Sequence, residues 1–411
     1  MKNSLTRKRN GIIGGIKMSG SKRSKARRAF SVTVASILGA GIIYAANIGV
    51  PSLIIKNVNL KKAMESVTIV AEAERNSEVP ESTGISEIND DYPNDITKLF
   101  TKRERLIDIS YEVKNLENIL IDKSDKSPNE FQPEEIRLLA RFVPIKSLIE
   151  KYAPLYRIDP IWYSRILIAE SALNPTSYNE ISKDYGIAQL KKERYELAEK
   201  ELLDLDSRYF SGRSFTDNIY NPETNLIFGL GLVRMNIDDN ALKNTDYDVL
   251  SVMYNLGYSG IDKNGNFNEA AKTYLSYINK KKTITSEIIS AFSYAKTPEK
   301  ITDARVKAIL SIYSKGYSTE KAYDEILSFY MKEIKKPYEN EPWWLAVTLD
   351  EAGAYANTMQ KAYGHNEKTN LDEIVKRTKE AQIDPKTELG NYLLEIYERN
   401  KEFAGWKNAK G

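Results

Sequence analysis

Apolar and polar positions divide this chain into blocks of different period. The first block has no period. From Ala29 to Ile55 it reads AFSVTVASILGAGIIYAANIGVPSLII, without one charged residue. A bilayer core of ~30 Å takes about 20 apolar helical residues, so residues 29–50 are expected to cross a membrane once. Lys22, Arg23, Lys25, Arg27 and Arg28 lie just before this stretch, and basic flanks stay on the cytoplasmic side. Residues 1–28 then form a basic cytoplasmic tail, and the remainder lies outside the membrane. The alternative is a cleaved signal peptide. Ala45-Ala46 offer small residues for it, but Tyr44 stands where another would be wanted.

Residues 56–132 read as a linker followed by a helix. The linker turns polar and acidic at EAERNSEVPESTGISEINDDYPND, a composition that buries too little apolar surface to order itself. Over 96–122, Leu99, Ile107, Ile109, Val113, Leu116, Ile119 and Leu120 fall at helical spacing. They predict one amphipathic helix, packed on the body of the protein by default. From Pro133 to about 280 the pattern is a run of short helices and loops, with no convincing alternating strand. Residues 281–411 are helical again, most clearly in DARVKAILSIYSKGY, STEKAYDEILSFYMKEIKK and PWWLAVTLDEAGAYANTMQKAYG. Ser318 is the expected N-cap of the second of these. Trp343 and Trp344 read as core residues, with a role as an anchor for sugar or protein as the alternative. The fold class is therefore mainly α.

Charge changes this picture in one respect. The chain has a net charge of +3, yet residues 1–28 hold ten Lys/Arg and no acid. The rest is acidic. The basic character belongs to a tail and not to a nucleic-acid-binding face, so no nucleic-acid partner is expected. Cysteine is absent and His365 is the single histidine. The chain alone builds no His/Cys zinc site and has no Cys nucleophile. Carboxylate chemistry remains, with no cofactor and no metal expected.

Asp159-Pro160 marks a helix start, Asp as N-cap and Pro in the first turn. Along IWYSRILIAES, Tyr163, Ile166, Leu167 and Glu170 share one face. Glu170 thus ends an apolar stripe. Apolar surroundings disfavour its charged form and raise its pKa, as a general acid at neutral pH requires. A Glu at a helix end can equally turn outward or pair with an Arg, and this helix alone does not separate the two.

The blocks that follow do. AESALNP stands at 169–175, GIAQ at 186–189, Asn221-Pro222 with Asn225 and Gly229 on a capped helix, and MYNLG at 253–257. In this order they resemble the soluble-lytic-transglycosylase-type (SLT) domain, glycoside hydrolase family 23, related in fold to goose-type lysozyme. The resemblance covers about a third of the chain. It implies a lysozyme-like helical domain at 133–280, with 281–411 as an additional helical region able to complete it. It implies that Glu170 is the catalytic acid/base and that the Tyr254 hydroxyl points at it. Ser171, Gln189 and Asn255 would hold substrate. Ala188 and Leu256 depart from the family's usual Met and small residue, which reshapes the cleft without removing the acid. The family's last helix has two candidates, NEAAKTYLSYI with Tyr274 and DEAGAYANTMQKAY with Tyr355. Tyr274 is the slightly favoured one.

The resemblance implies cleavage of peptidoglycan glycan strands at the bond between MurNAc and GlcNAc, by one carboxyl and with a 1,6-anhydro product. The protein would sit in a bacterial cell membrane by a single span, its catalytic domain on the outer side. Asp184 and Glu180 stand near the motifs. As a second carboxylate either would favour hydrolysis; as solvated loop charges they would do nothing. Tyr178, Tyr185 and Tyr258 lie near the motif loops without a distinct role. Two other function classes compete: an inactive glycan-binding scaffold, and an assembly protein whose C-terminal helices bind an envelope partner.

Overall fold

The computed structural model describes residues 115–120, 123–196, 218–239, 247–262, 265–381 and 383–406. The basic tail, the apolar stretch 29–50 and the acidic linker lie outside them. No helix among the described residues is long and apolar enough to cross a membrane. Of the amphipathic helix expected at 96–122, the described part is α1 (Leu116–Ile119). It packs on the body. Leu116 and Leu120 are buried, and the Leu116 N–H donates to Glu150 Oε1 at 2.6 Å.

Local caps set the next helices. Helix α2 (Pro133–Phe142) starts at a proline, with Glu135 Oε2 accepting from the Gln132 N–H at 2.6 Å. Helix α3 spans Lys146–Leu155. Helix α4 (Pro160–Ser171) starts where the sequence indicated, with Asp159 Oδ1 accepting from the Ile161 N–H at 2.9 Å. Three two-residue strands follow, a feature absent from the sequence expectation: β1 (Tyr178–Asn179), β2 (Asp184–Tyr185) and β3 (Leu190–Lys191). They pair antiparallel in that order, Asn179 opposite Asp184 and Asp184 opposite Lys191. Side chains alternate between the faces of a strand, so Asn179, Asp184 and Lys191 share one face. Helices α5 (Pro222–Asp239), α6 (Tyr247–Leu256) and α7 (Glu269–Ala291) complete the portion that resembles the SLT domain.

Five further helices follow: α8 (Ala304–Ser314), α9 (Thr319–Glu333), α10 (Pro342–Tyr363), α11 (Lys368–Glu380) and α12 (Glu388–Trp406). Ser318 caps α9 as expected, accepting from the Lys321 N–H at 3.3 Å. The division placed at residue 280 falls inside α7, and the two sides share one core. Phe142, Tyr163, Phe228, Ile288, Tyr330, Trp344 and Ile396 all belong to it. Of the tryptophan pair only Trp344 is core; Trp343 is 38% exposed. Tyr355 is buried beside Tyr330, ring centroids 5.8 Å apart.

The shared core contains charge. Lys146 is fully buried, with Glu150 Oε1 at 2.6 Å and Glu117 Oε2 at 2.9 Å. Burial alone would lower its pKa, but Glu150 together with the hydrogen bonds to Tyr313 and Glu117 raises it. Because Glu117 belongs to α1 and Lys146 to α3, this pair ties the entering chain to the body.

Candidate active site

Helix α4 is enclosed rather than striped. Trp162, Tyr163 and Ser164 are buried, and so is every residue from Ile166 to Ser171. Glu170 therefore faces inward because its helix crosses the core, not because one face is apolar. The helix stops abruptly. Ala172 and Leu173 both take the left-handed conformation, at φ 48° and 64°, which costs non-glycine residues of order 1 kcal/mol each. The carbonyls left over by this ending are caught by side chains. Tyr277 on α7 donates to Ala169 O at 3.0 Å, and Arg141 Nη1 donates to Ala172 O at 2.9 Å.

Arg141 is itself held from far along the chain. Its Nε and Nη2 donate to Glu351 Oε2 and Oε1 at 2.9 and 2.5 Å, a two-pronged pair with Glu351 fully buried on α10. Beside it Arg137 Nη1 meets Asp350 Oδ2 at 3.1 Å, and Arg399 Nη2 meets Asp350 Oδ1 at 2.5 Å. Burial works against the Asp350 carboxylate, but Arg399 and Arg137 prevail and lower its pKa.

The GIAQ loop lies against the same helix. Gly186 has φ +76°, and a Cβ there would come within 2.4 Å of Asn225 Nδ2. Asn225 explains the closeness. Its Oδ1 accepts from the Ala188 N–H at 2.7 Å, while Nδ2 donates to Ile219 O and Tyr185 O at 2.9 and 3.2 Å. One buried amide thus satisfies three backbone groups, two of them at Tyr185 and Ala188 and one at Ile219, and ties the loop to the turn before α5. Gly229 lets α5 approach, since a Cβ there would lie 2.3 Å from the Tyr163 hydroxyl. Ala188, the departure from the family's Met, is fully buried. It would stand 3.0 Å from that same Cβ, so its side chain fills the contact with α5.

These elements converge on Glu170, which is 9% exposed. Tyr274 on α7 donates its hydroxyl to Glu170 Oε1 at 2.6 Å, and Asn255 Nδ2 donates to the same oxygen at 3.3 Å. Both donors end on Oε1, so the proton of a neutral Glu170 belongs on Oε2. Burial raises the Glu170 pKa to about 7, opposed by the Tyr274 hydrogen bond and helped by the nearby Asp184 charge. Burial and Glu170 hold the Tyr274 phenol well above its ordinary value, so it remains a donor. Glu170 opens into a cavity lined also by Asn179, Asp184, Gln189, Lys191, Arg194, Asn236, Tyr254 and Asn255. The polar face of the small sheet supplies three of these.

The sequence expectations divide here. Asn255 lies against Glu170. Gln189 lines the cavity; its Nε2 donates to Gly186 O at 2.8 Å, and its Oε1 is buried without a partner among the described residues. Tyr254 does not point at Glu170. Its hydroxyl donates to Ala188 O at 2.6 Å, because the carbonyl of the loop lies across from it. The tyrosine on the acid is Tyr274, from the first of the two candidate helices. Ser171, expected to hold substrate, is fully buried, and its Oγ donates to Ile187 O at 2.7 Å, pinning the loop to α4. Arg194 and Lys191 carried no motif and were missed. Asp184, expected as a solvated loop charge or a second carboxylate, lines the cavity, and burial raises its pKa. His365 is outside the site, its Nε2 3.0 Å from Glu320 on the surface.

Residues 147–277 match the family model of the transglycosylase SLT domain. The chain matches no curated protein and no solved structure.

Proposed function

We propose that this chain, built around an SLT domain, is a lytic transglycosylase that cuts peptidoglycan between MurNAc and GlcNAc with Glu170 as its single acid/base. The observation that carries this reading is the state of Glu170. It is buried, its pKa is raised to about 7, and both hydrogen-bond donors sit on one oxygen. An acid with that pKa is protonated in a large share of molecules at neutral pH and can still lose its proton in the reaction.

Glu170 Oε2 donates its proton to the glycosidic oxygen, and the GlcNAc leaves as its C4 alcohol. The acetamido oxygen of MurNAc supports the cationic C1. The Glu170 carboxylate then takes the proton of the MurNAc C6 hydroxyl, whose oxygen attacks C1. The 1,6-anhydro ring closes, Glu170 is protonated again, and no water is consumed. Holding the sugar so that its own hydroxyl is the nucleophile makes this step effectively unimolecular. The cut takes place outside a bacterial membrane, with residues 29–50 as the anchor.

Full-length protein incubated with purified peptidoglycan should release fragments ending in 1,6-anhydro-MurNAc, read by mass spectrometry. Release of nothing but hydrated reducing ends would overturn the transglycosylase. Tyr274→Phe provides a further check. The lost hydrogen bond favoured the charged form of Glu170, so its removal raises the pKa further. The alkaline limb of the pH–rate profile should therefore move up, with turnover lowered about 10-fold or more for loss of orientation. An unmoved limb would separate Tyr274 from the acid.

Asp184 favours a second reading, hydrolysis. Its Oδ1 is buried without a hydrogen-bond partner among the described residues, in the same cavity as Glu170. A second carboxylate that holds a water is what inverting glycosidases use. Asp184→Asn decides between the two. Anhydro ends formed at an undiminished share support the transglycosylase; hydrated ends that disappear with the substitution support hydrolysis.

A further inference from the structure

The cavity around Glu170 holds more charge than catalysis by one carboxyl requires. Lys191 closes β3, and Arg194 lies in the helical turn that follows it. Both line the cavity beside Glu170 and Asp184. Arg194 is fixed at one point, where Nη1 donates to Tyr254 O at 3.0 Å. Its other N–H groups have no hydrogen-bond partner among the described residues. Lys191 is half-buried, and burial lowers its pKa against the pull of Asp184. When Glu170 is protonated, the described lining of the cavity holds Arg194 and Lys191 with the carboxylate of Asp184. A wall of that sign suits an anionic ligand.

The sugar rings of a glycan strand are neutral. The carboxylates of peptidoglycan belong to the lactyl branch of MurNAc, on the sugar whose bond is cut. We infer that Arg194, with Lys191 beside it, binds a carboxylate on the lactyl branch of the MurNAc at the scissile bond. This rests on the proposed cleavage of peptidoglycan and adds a substrate class to it: strands with an anionic branch. Arginine fits the task because its planar fork offers parallel donors to a carboxylate. The carboxylate has two sources. It is the lactyl group itself where the stem peptide has been cut away, or an acid within the stem peptide where it is present.

The test compares full-length wild type, Arg194→Gln, Arg194→Lys and Lys191→Gln on peptide-bearing strands, on strands stripped of peptide, and on both after conversion of carboxylates to methyl amides. Arg194→Gln should raise KM about 10-fold on charged strands with kcat little changed, the size of one charge-assisted hydrogen bond. Wild type should show the same rise on the neutralised strands, and Arg194→Gln should add nothing there. Arg194→Lys should keep most of the affinity, and Lys191→Gln should show a smaller rise of the same kind. A rise confined to stripped strands identifies the lactyl carboxylate, and one confined to peptide-bearing strands identifies the stem.

If Arg194→Gln slows charged and neutralised strands by the same factor, Arg194 only supports the Tyr254 carbonyl. The inference then falls while cleavage stands. If wild type cleaves nothing, the reading of the reaction falls instead. The affinities of the Glu170→Gln protein for charged and neutralised strands, with and without Arg194→Gln, still decide the inference by the same comparison.

Discussion

Glu170→Gln is expected to lower glycan cleavage by ~10²- to 10⁴-fold, the usual contribution of a general acid, and to make the protein more stable at alkaline pH. The two effects have one cause. In the unfolded chain Glu170 titrates near the ordinary 4.5, and in the folded protein near 7. The folded state therefore holds this proton more tightly. Its stabilising contribution is complete below about pH 4.5 and is lost as the pH rises through about 7. By linkage, the buried carboxylate costs about 3 kcal/mol above that window. Gln keeps the shape and the acceptor for Tyr274 but never ionises. Denaturation from pH 5 to 8 should show the variant gaining on wild type across the window and levelling off above it. A stability difference independent of pH would mean that Glu170 is not held neutral by its site. A stable variant that still cuts peptidoglycan would remove it from the reaction.

The second large effect belongs to Arg141. Arg141→Met leaves Glu351 fully buried without its two-pronged partner, and removing one member of a buried pair typically costs ~3–5 kcal/mol. It also frees Ala172 O at the left-handed turn one residue after Ser171. Urea denaturation should show the loss. The double substitution Arg141→Met with Glu351→Leu should recover much of it, since no charge is then stranded. A single substitution costing less than about 1 kcal/mol, the range of exposed pairs, would show that water reaches Glu351.

Much of the helical architecture was legible in the sequence. Asp159-Pro160 and Ser318 mark helix starts that the structure contains, because caps are local chemistry. The inward position of Glu170 was also legible, whereas Asn255 was read as holding substrate and its hydrogen bond to Glu170 was not foreseen. The small sheet was not, since strands of two residues are too short to show a period of two. The choice between Tyr274 and Tyr355 depended on which helix lies along α4, and both segments are helical with a suitable tyrosine. Tyr254 was placed on the acid by resemblance, but the loop carbonyl of Ala188 takes its hydroxyl. Ser171 was placed at the site by resemblance, yet a residue one step along a helix from Glu170 points about 100° away. Arg141 and Glu351 are 210 positions apart, and nothing local links an arginine to a glutamate at that distance.

That separation bears on how the fold comes into being. Synthesis runs from the N-terminus, so α4, the GIAQ loop, Asn255 and Tyr274 all exist before Glu351 has been made. Until α10 arrives, Arg141 has no carboxylate to turn toward, and the tight ending of α4 lacks its outer brace. A nascent chain halted after α7 would carry the described residues of the cleft without the Arg141–Glu351 pair that braces the end of α4. If the proposed cleavage is this chain's reaction, the brace from α10 would delay a finished cleft until that helix has been made.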